Sequence, residues 1–212
     1  MIAVALVPIA VIGLVILIVV AVIQQRATPS EAASALLRTY LYVASLVGVV
    51  TLAFGLVALI DAIAAVLFGT TFVYGGPVTT SANATETRPA EDAVRGITFA
   101  AFGALFWFVH WLARRRLLNG DRGSQYRGYV LVGAAAFGIS TVVFLPTGVY
   151  QALSNWLVAR PAGSYYQPVA EALVSGLVSL ALWLLYLRAA LTSSRKASAT
   201  GAEPAAPGGT VS

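Results

Sequence analysis

Residues 36–69 read LLRTYLYVASLVGVVTLAFGLVALIDAIAAVLFG, a run of 34 residues broken only by Arg38 and Asp61. A soluble helix of that length would show a polar face, because one side of it meets water. This one carries only two charged residues, so it is read as a helix whose surroundings are lipid. About 20 such residues cross the hydrocarbon core of a bilayer, and this segment offers well over that.

The rest of the chain agrees. It has 212 residues, 59% of them hydrophobic and 10% charged, whereas soluble domains carry roughly a quarter charged residues. Further apolar runs occupy Met1–Ile23, Ala93–Ala113, Gly128–Val158 and Val169–Leu191. The expectation is an all-α integral membrane bundle of five transmembrane helices. Its parts are an N-terminal helix at 1–26, a first helix hairpin at 36–118, a second at 126–192, and a disordered tail at 193–212. The first run lacks the positive n-region and short core of a secretory signal. The tail is mostly Ala, Gly, Pro, Ser and Thr and buries too little to offset its ordering entropy. The 70–92 stretch, rich in Thr, Ala, Asn, Gly and Pro, is expected to be an exposed loop. Within it Asn83-Ala84-Thr85 fits a glycosylation sequon, relevant only in a secretory pathway that glycosylates.

The net charge of +5 is distributed by loop. Arg26 and Arg38, then Arg114, Arg115, Arg116, Arg122 and Arg127, then Arg188, Arg195 and Lys196 share one side. The other side holds Arg88, Arg95 and Arg160, with Glu86, Glu91, Asp92 and Glu171. The positive-inside rule then places the N-terminus outside and the C-terminus in the cytoplasm. That distribution accounts for the basic balance without nucleic acid.

A repeat is visible. Arg38-Thr39-Tyr40-Leu41-Tyr42-Val43 and Arg127-Gly128-Tyr129-Val130-Leu131-Val132 stand 89 residues apart. Each opens a long helix, and each is followed by a loop and a returning helix that ends in basic residues. Because the hairpins share a direction, the duplication is parallel rather than inverted. A helix opening Arg-x-Tyr-Leu-Tyr, paired with one ending His110-Trp111 and arginine, resembles an uncharacterised bacterial multi-pass membrane domain that occurs in tandem hairpins. The resemblance covers roughly residues 36–118, and 126–192 less well. In the second copy Leu131 replaces the second tyrosine and the His-Trp pair is missing. The resemblance implies the hairpin architecture and a bacterial cell (inner) membrane, and it supplies no reaction.

Few residues could carry chemistry. The chain has no cysteine, which excludes disulfides, thiolate catalysis and cysteine-held metal. One histidine and eight acidic residues leave little for a metal cage, and no metal site is expected. No phosphate-cradling glycine loop, HExxH pair or G-x-S-x-G elbow is present, so the chain is not expected to be an enzyme. His110 is the sole imidazole, one turn before Arg114, and the candidate axial ligand to haem or chlorophyll. Otherwise no cofactor is expected. Asp61, Arg95, Gln151, Asn155 and Glu171 all fall near the outer boundary and form a candidate polar cluster. An Asp61–Arg95 ion pair tying the first hairpin together is the simplest arrangement of it. Tyr and Trp sort into two belts: Tyr40, Tyr42, Trp111, Tyr126, Tyr129 and Tyr186 inside, and Tyr74, Tyr150, Trp156, Tyr165 and Tyr166 outside. Small residues recur every fourth position at Ala44 and Gly48, at Gly96, Ala100 and Ala104, at Ala134 and Gly138, and at Ala172 and Gly176, as helices that approach closely in lipid require.

The leading expectation is a non-enzymatic accessory or structural subunit, with the lipid bilayer and other membrane-protein subunits as its partners. The alternatives are a small transporter or channel using the outer cluster, and a pigment-binding subunit using His110. Length adds one more expectation. Leu36–Gly69 and Tyr126–Ala159 each extend about 51 Å at 1.5 Å per residue, against a core of about 30 Å. Their outer ends, with Ile63, Val66, Leu67 and Phe68 in one and Leu153, Trp156 and Leu157 in the other, are expected to stay helical. They are further expected to pack on each other or on a partner, with Pro146 as a hinge.

Overall fold

The computed structural model describes residues 29–77, 87–117, 124–159 and 165–200. Their order is α1 (Pro29–Phe68), α2 (Thr70–Tyr74), β1 (Gly76–Pro77), α3 (Arg88–Leu117), α4 (Ser124–Leu157), β2 (Tyr165–Tyr166) and α5 (Ala170–Thr200). Among the described residues the fold is all-helical apart from one two-residue bridge. Ser34–Phe68, Arg88–Leu117, Gln125–Leu157 and Ala170–Ser193 are long and apolar enough to cross a membrane by length and composition. The expected first span, 1–26, lies outside the described residues.

The helices associate in pairs, α1 with α3 and α4 with α5, and the pairs meet chiefly through α1 against α5. Glycine sets the intimacy of both pairs. Gly48 and Gly55 on α1 lie against the backbones of Trp107 and Ala100, while Gly96 and Gly103 on α3 lie against Leu59 and Leu52. In the other pair Gly148 meets Leu173 and Gly176 meets Leu145. Side chains at these points would hold the helices apart, and the dispersion gained at short range would be lost.

Between the pairs, Leu46 and Val49 of α1 pack with Val130, Ala134 and Phe137 of α4 and Tyr186 of α5. Towards the other end, Ala65 of α1, Val73 of α2, and Ala170 and Val174 of α5 make a second cluster.

Two segments differ from the sequence reading. The 70–92 stretch is not one exposed loop. Gly69, at φ 92°, breaks α1, and α2 then turns Val73 into the second cluster, only 1% exposed. β1 follows and pairs antiparallel with β2, Gly76 opposite Tyr166 and Pro77 opposite Tyr165. α3 starts at Arg88-Pro89, with proline in the first turn, where its missing N–H costs nothing. At the other end, residues 193–200 of the expected tail continue α5. Alanine, arginine and lysine there extend a helix already nucleated, and propagation needs no burial of its own.

The long helices do run on past Asp61 and Tyr150, and α4 continues through Pro146 without a break. Their outer ends do not pack on each other. Ile63, Val66, Leu67 and Phe68, with Leu153, Trp156 and Leu157, are all exposed. The small Ala65 faces the α2–α5 cluster instead, because only a small side chain fits that close approach.

Candidate functional site

One end of the bundle carries the residues of the expected polar cluster. Asp61, on α1, is 7% exposed, and its Oδ1 has no hydrogen-bond partner. It shares a face of α1 with Val57 and Ala65, four residues to either side, and both pack in the cluster that holds Val174. Arg95, Asp92 and Glu171 all lie within electrostatic reach of it.

The expected Asp61–Arg95 pair is not formed. Arg95 pairs with Asp92 on its own helix, Nη2 to Oδ1 at 2.5 Å, and its side chain is 62% exposed. A partner one turn away on the same helix costs little side-chain ordering, and the exposed position keeps the guanidinium hydrated. Reaching Asp61 would sacrifice both.

Gln151 and Asn155, on α4, are half-buried. The Asn155 Nδ2 donates to the Gln167 carbonyl at 2.9 Å, while Asn155 Oδ1 and Gln151 Oε1 are buried without partners. Glu171 is exposed at the start of α5. Tyr74, expected in the outer aromatic belt, and Asp92, expected among the outer-loop charges, both belong to this cluster. The Tyr74 hydroxyl is buried without a partner, and Arg88 lies over its ring at 5.6 Å. Burial holds the Tyr74 phenol well above its ordinary range. The Asp92 and Asp61 carboxylates push it the same way, and Arg88 opposes them.

His110 sits at the arginine-rich end and is 8% exposed. Its Nδ1 lies 2.8 Å from the Phe106 carbonyl, which can only accept, so Nδ1 carries the proton. The lone pair is then on Nε2, and the Tyr40 hydroxyl donates to it at 3.3 Å. Phe106 and Tyr40 also contact the ring at centroid distances of 4.2 and 5.7 Å. An open apolar groove of about 490 Å³, lined by Val47, Thr51, Phe102 and Phe106 among others, runs beside it. Both ring nitrogens are thus engaged by this chain. An axial ligand role for His110 would require Tyr40 to withdraw. Among the described residues, no group of three His, Asp or Glu side chains converges as a metal ion would need.

The same end holds an aromatic assembly that the belt reading did not resolve. Tyr42 of α1, Tyr129 of α4 and Tyr186 of α5 converge, with ring centroids 5.3 Å apart for Tyr42–Tyr129 and 5.6 Å for Tyr129–Tyr186. The Tyr129 and Tyr186 hydroxyls share a 2.8 Å hydrogen bond. Arg114 of α3 enters this group, its Cζ 5.0 Å from the centroids of both Tyr42 and Tyr129. The run Arg114-Arg115-Arg116 gives no sequence signal that its first member turns inward. That depends on helical phase, since Ala113 packs against Leu41 and Tyr42.

The family described as a domain of unknown function (DUF5671) matches residues 2–85. The chain is thus similar to an uncharacterised domain from its first apolar run through α1, α2 and β1. The match ends before α3, and so before His110-Trp111, which carried part of the resemblance seen in the sequence. No curated protein and no solved structure matches the chain.

Proposed function

We propose that this chain is a multi-pass integral membrane protein of the bacterial cell membrane and a non-enzymatic accessory subunit that packs against other membrane proteins. Its N-terminus lies outside and its arginine-rich end faces the cytoplasm. The observation that carries the reading is apolar surface in excess of what lipid covers. Counting about 20 residues from the arginine level at Leu41 reaches Ile60. Beyond it Val66, Leu67 and Phe68 are 79, 70 and 67% exposed, and on α4 Trp156 is 87% exposed. Water would leave that surface unfavourably bare, and a neighbouring subunit covers it.

The handling of hydroxyls supports the lipid setting. Thr51, Thr98, Ser140, Thr141 and Thr147 each donate to the carbonyl four residues earlier, at 2.7–2.9 Å. Polar groups in hydrocarbon need such internal partners.

A photo-crosslinking residue placed at Phe68 and at Trp156 in living cells tests the reading. A discrete protein adduct is expected at both positions, and lipid alone at Leu131, which is exposed on the wall of α4. Lipid adducts alone at all three positions would defeat the subunit reading.

A second reading, a small transporter or channel, is favoured by the buried, unpaired Asp61 Oδ1, since a carboxylate near hydrocarbon is a costly feature to keep. Proteoliposomes loaded with sodium, potassium or a pH indicator decide it. Flux that Asp61→Asn abolishes supports transport, and wild-type vesicles as tight as empty ones retire it.

A further inference from the structure

Arg114 has an arrangement that its place in a run of three arginines does not explain. Its guanidinium caps the adjacent Tyr42 and Tyr129 rings, whose centroids are 5.3 Å apart, with each centroid 5.0 Å from Cζ. The Nε atom is buried and has no hydrogen-bond partner. Among the described residues its cation–π contacts are to these two tyrosines, and no ion pair joins it to a carboxylate. Tyr186, hydrogen-bonded to Tyr129, stands within electrostatic reach.

A cation–π contact uses the charge of a guanidinium and none of its N–H hydrogen bonds, and Nη1 and Nη2 lie beyond the buried Nε. A half-buried cation with no carboxylate paired to it among the described residues calls for an anion, and the flat fork of arginine suits a phosphate, which accepts two parallel bonds. We propose that Arg114, held by Tyr42 and Tyr129, is a binding site for a phosphate group, and that an anionic phospholipid supplies it. The choice of a lipid phosphate rests on the membrane reading above, which sets this level at the cytoplasmic headgroups. The phosphate chemistry does not rest on that reading.

The test uses the full chain in mild detergent, stripped of lipid, with native mass spectrometry and thermal melting. Phosphatidylglycerol, phosphatidylcholine and inorganic phosphate are added in turn. Phosphatidylglycerol is expected to remain bound as a discrete adduct and to raise the melting temperature, and phosphatidylcholine to do neither. Arg114→Gln should weaken phosphatidylglycerol about tenfold, and Arg116→Gln, altering an exposed arginine nearby, by no more than about twofold. Equal losses in the two variants, or no loss in Arg114→Gln, would overturn the site. If Arg114→Gln does not fold, Arg114→Lys keeps the charge and loses the fork. Unchanged binding by that variant would also overturn the proposal, and weaker binding supports it. Protection by inorganic phosphate that depends on Arg114 supports the phosphate site and assigns its occupant to solution. Extraction of native membranes with alkaline carbonate separates the two layers of inference. Release of the protein defeats the membrane reading and leaves phosphate binding standing. Retention, together with binding indifferent to Arg114, defeats this proposal alone.

Discussion

Gly55 and Ala100 bring α1 and α3 so close that a Cβ built on Gly55 would stand 2.2 Å from the Ala100 amide nitrogen. That neighbour is backbone and cannot swing aside. Gly55→Ala should therefore push the helices apart and cost about 1–3 kcal/mol. Gly128, also helical, has nothing within 4 Å of its would-be Cβ. Gly128→Ala should be neutral or slightly stabilising, since alanine suits a helix better. Thermal melting in detergent compares the two, and equal effects would contradict the packing described.

The alkaline limb of stability should carry the mark of Tyr74. Its phenol is raised in the folded state, chiefly by burial. Above about pH 10 the unfolded phenol loses its proton while the folded one keeps it, so the folded state binds more protons and stability falls as pH rises. Below that pH the two states hold the same proton and Tyr74 adds no slope. Tyr74→Phe should flatten the decline between pH 10 and 12 and leave the curve near pH 8 unchanged. Parallel curves for the two proteins would argue against the buried hydroxyl.

His110 should act through packing. His110→Ala removes the bond to Tyr40 and a buried ring, at a cost of about 1–3 kcal/mol. The expected protein is folded, melts several degrees lower, and has an unchanged visible spectrum. A visible band in the wild type that disappears in the variant would instead make His110 a pigment ligand.

Sidedness has a direct readout. Single cysteines introduced at Thr85 and Gly120 into this cysteine-free chain should react with an impermeant maleimide from opposite sides, position 85 in intact cells and position 120 only after lysis. Labelling of both positions from one side would reverse or break the proposed topology.

The helices were legible because their apolar runs end in arginine, glycine or proline, which act locally. Which small residues make contact was less so. Gly48, Gly96 and Gly176 lie in expected four-residue patterns and do meet the facing backbone. Gly55, Gly103 and Gly148 make equally close approaches and lie outside those patterns, because helix register depends on the partner as well as on spacing. Asp61 and Arg95 were assigned to one level, and they do lie near each other. Level alone could not reveal that Asp92, on Arg95's own helix, would capture the guanidinium. In the sequence Arg114 is one basic residue among ten on its side. Its role beside Tyr42 and Tyr129 emerges only once three helices, distant in sequence, are brought together.

The pairing of Gly76–Pro77 with Tyr165–Tyr166 bears on the order of assembly. Within each pair the helices are joined through residues 69–87 and 158–169, so their contacts close smaller loops than the bridge, which joins residues about 90 positions apart and is expected to form later. Each pair carries its own glycine-lined seam and is expected to hold together without the bridge. A chain cut between α3 and α4 and expressed as two fragments should accordingly reassemble, with the bridge and the α1–α5 contact acting as the clasp between separately made halves.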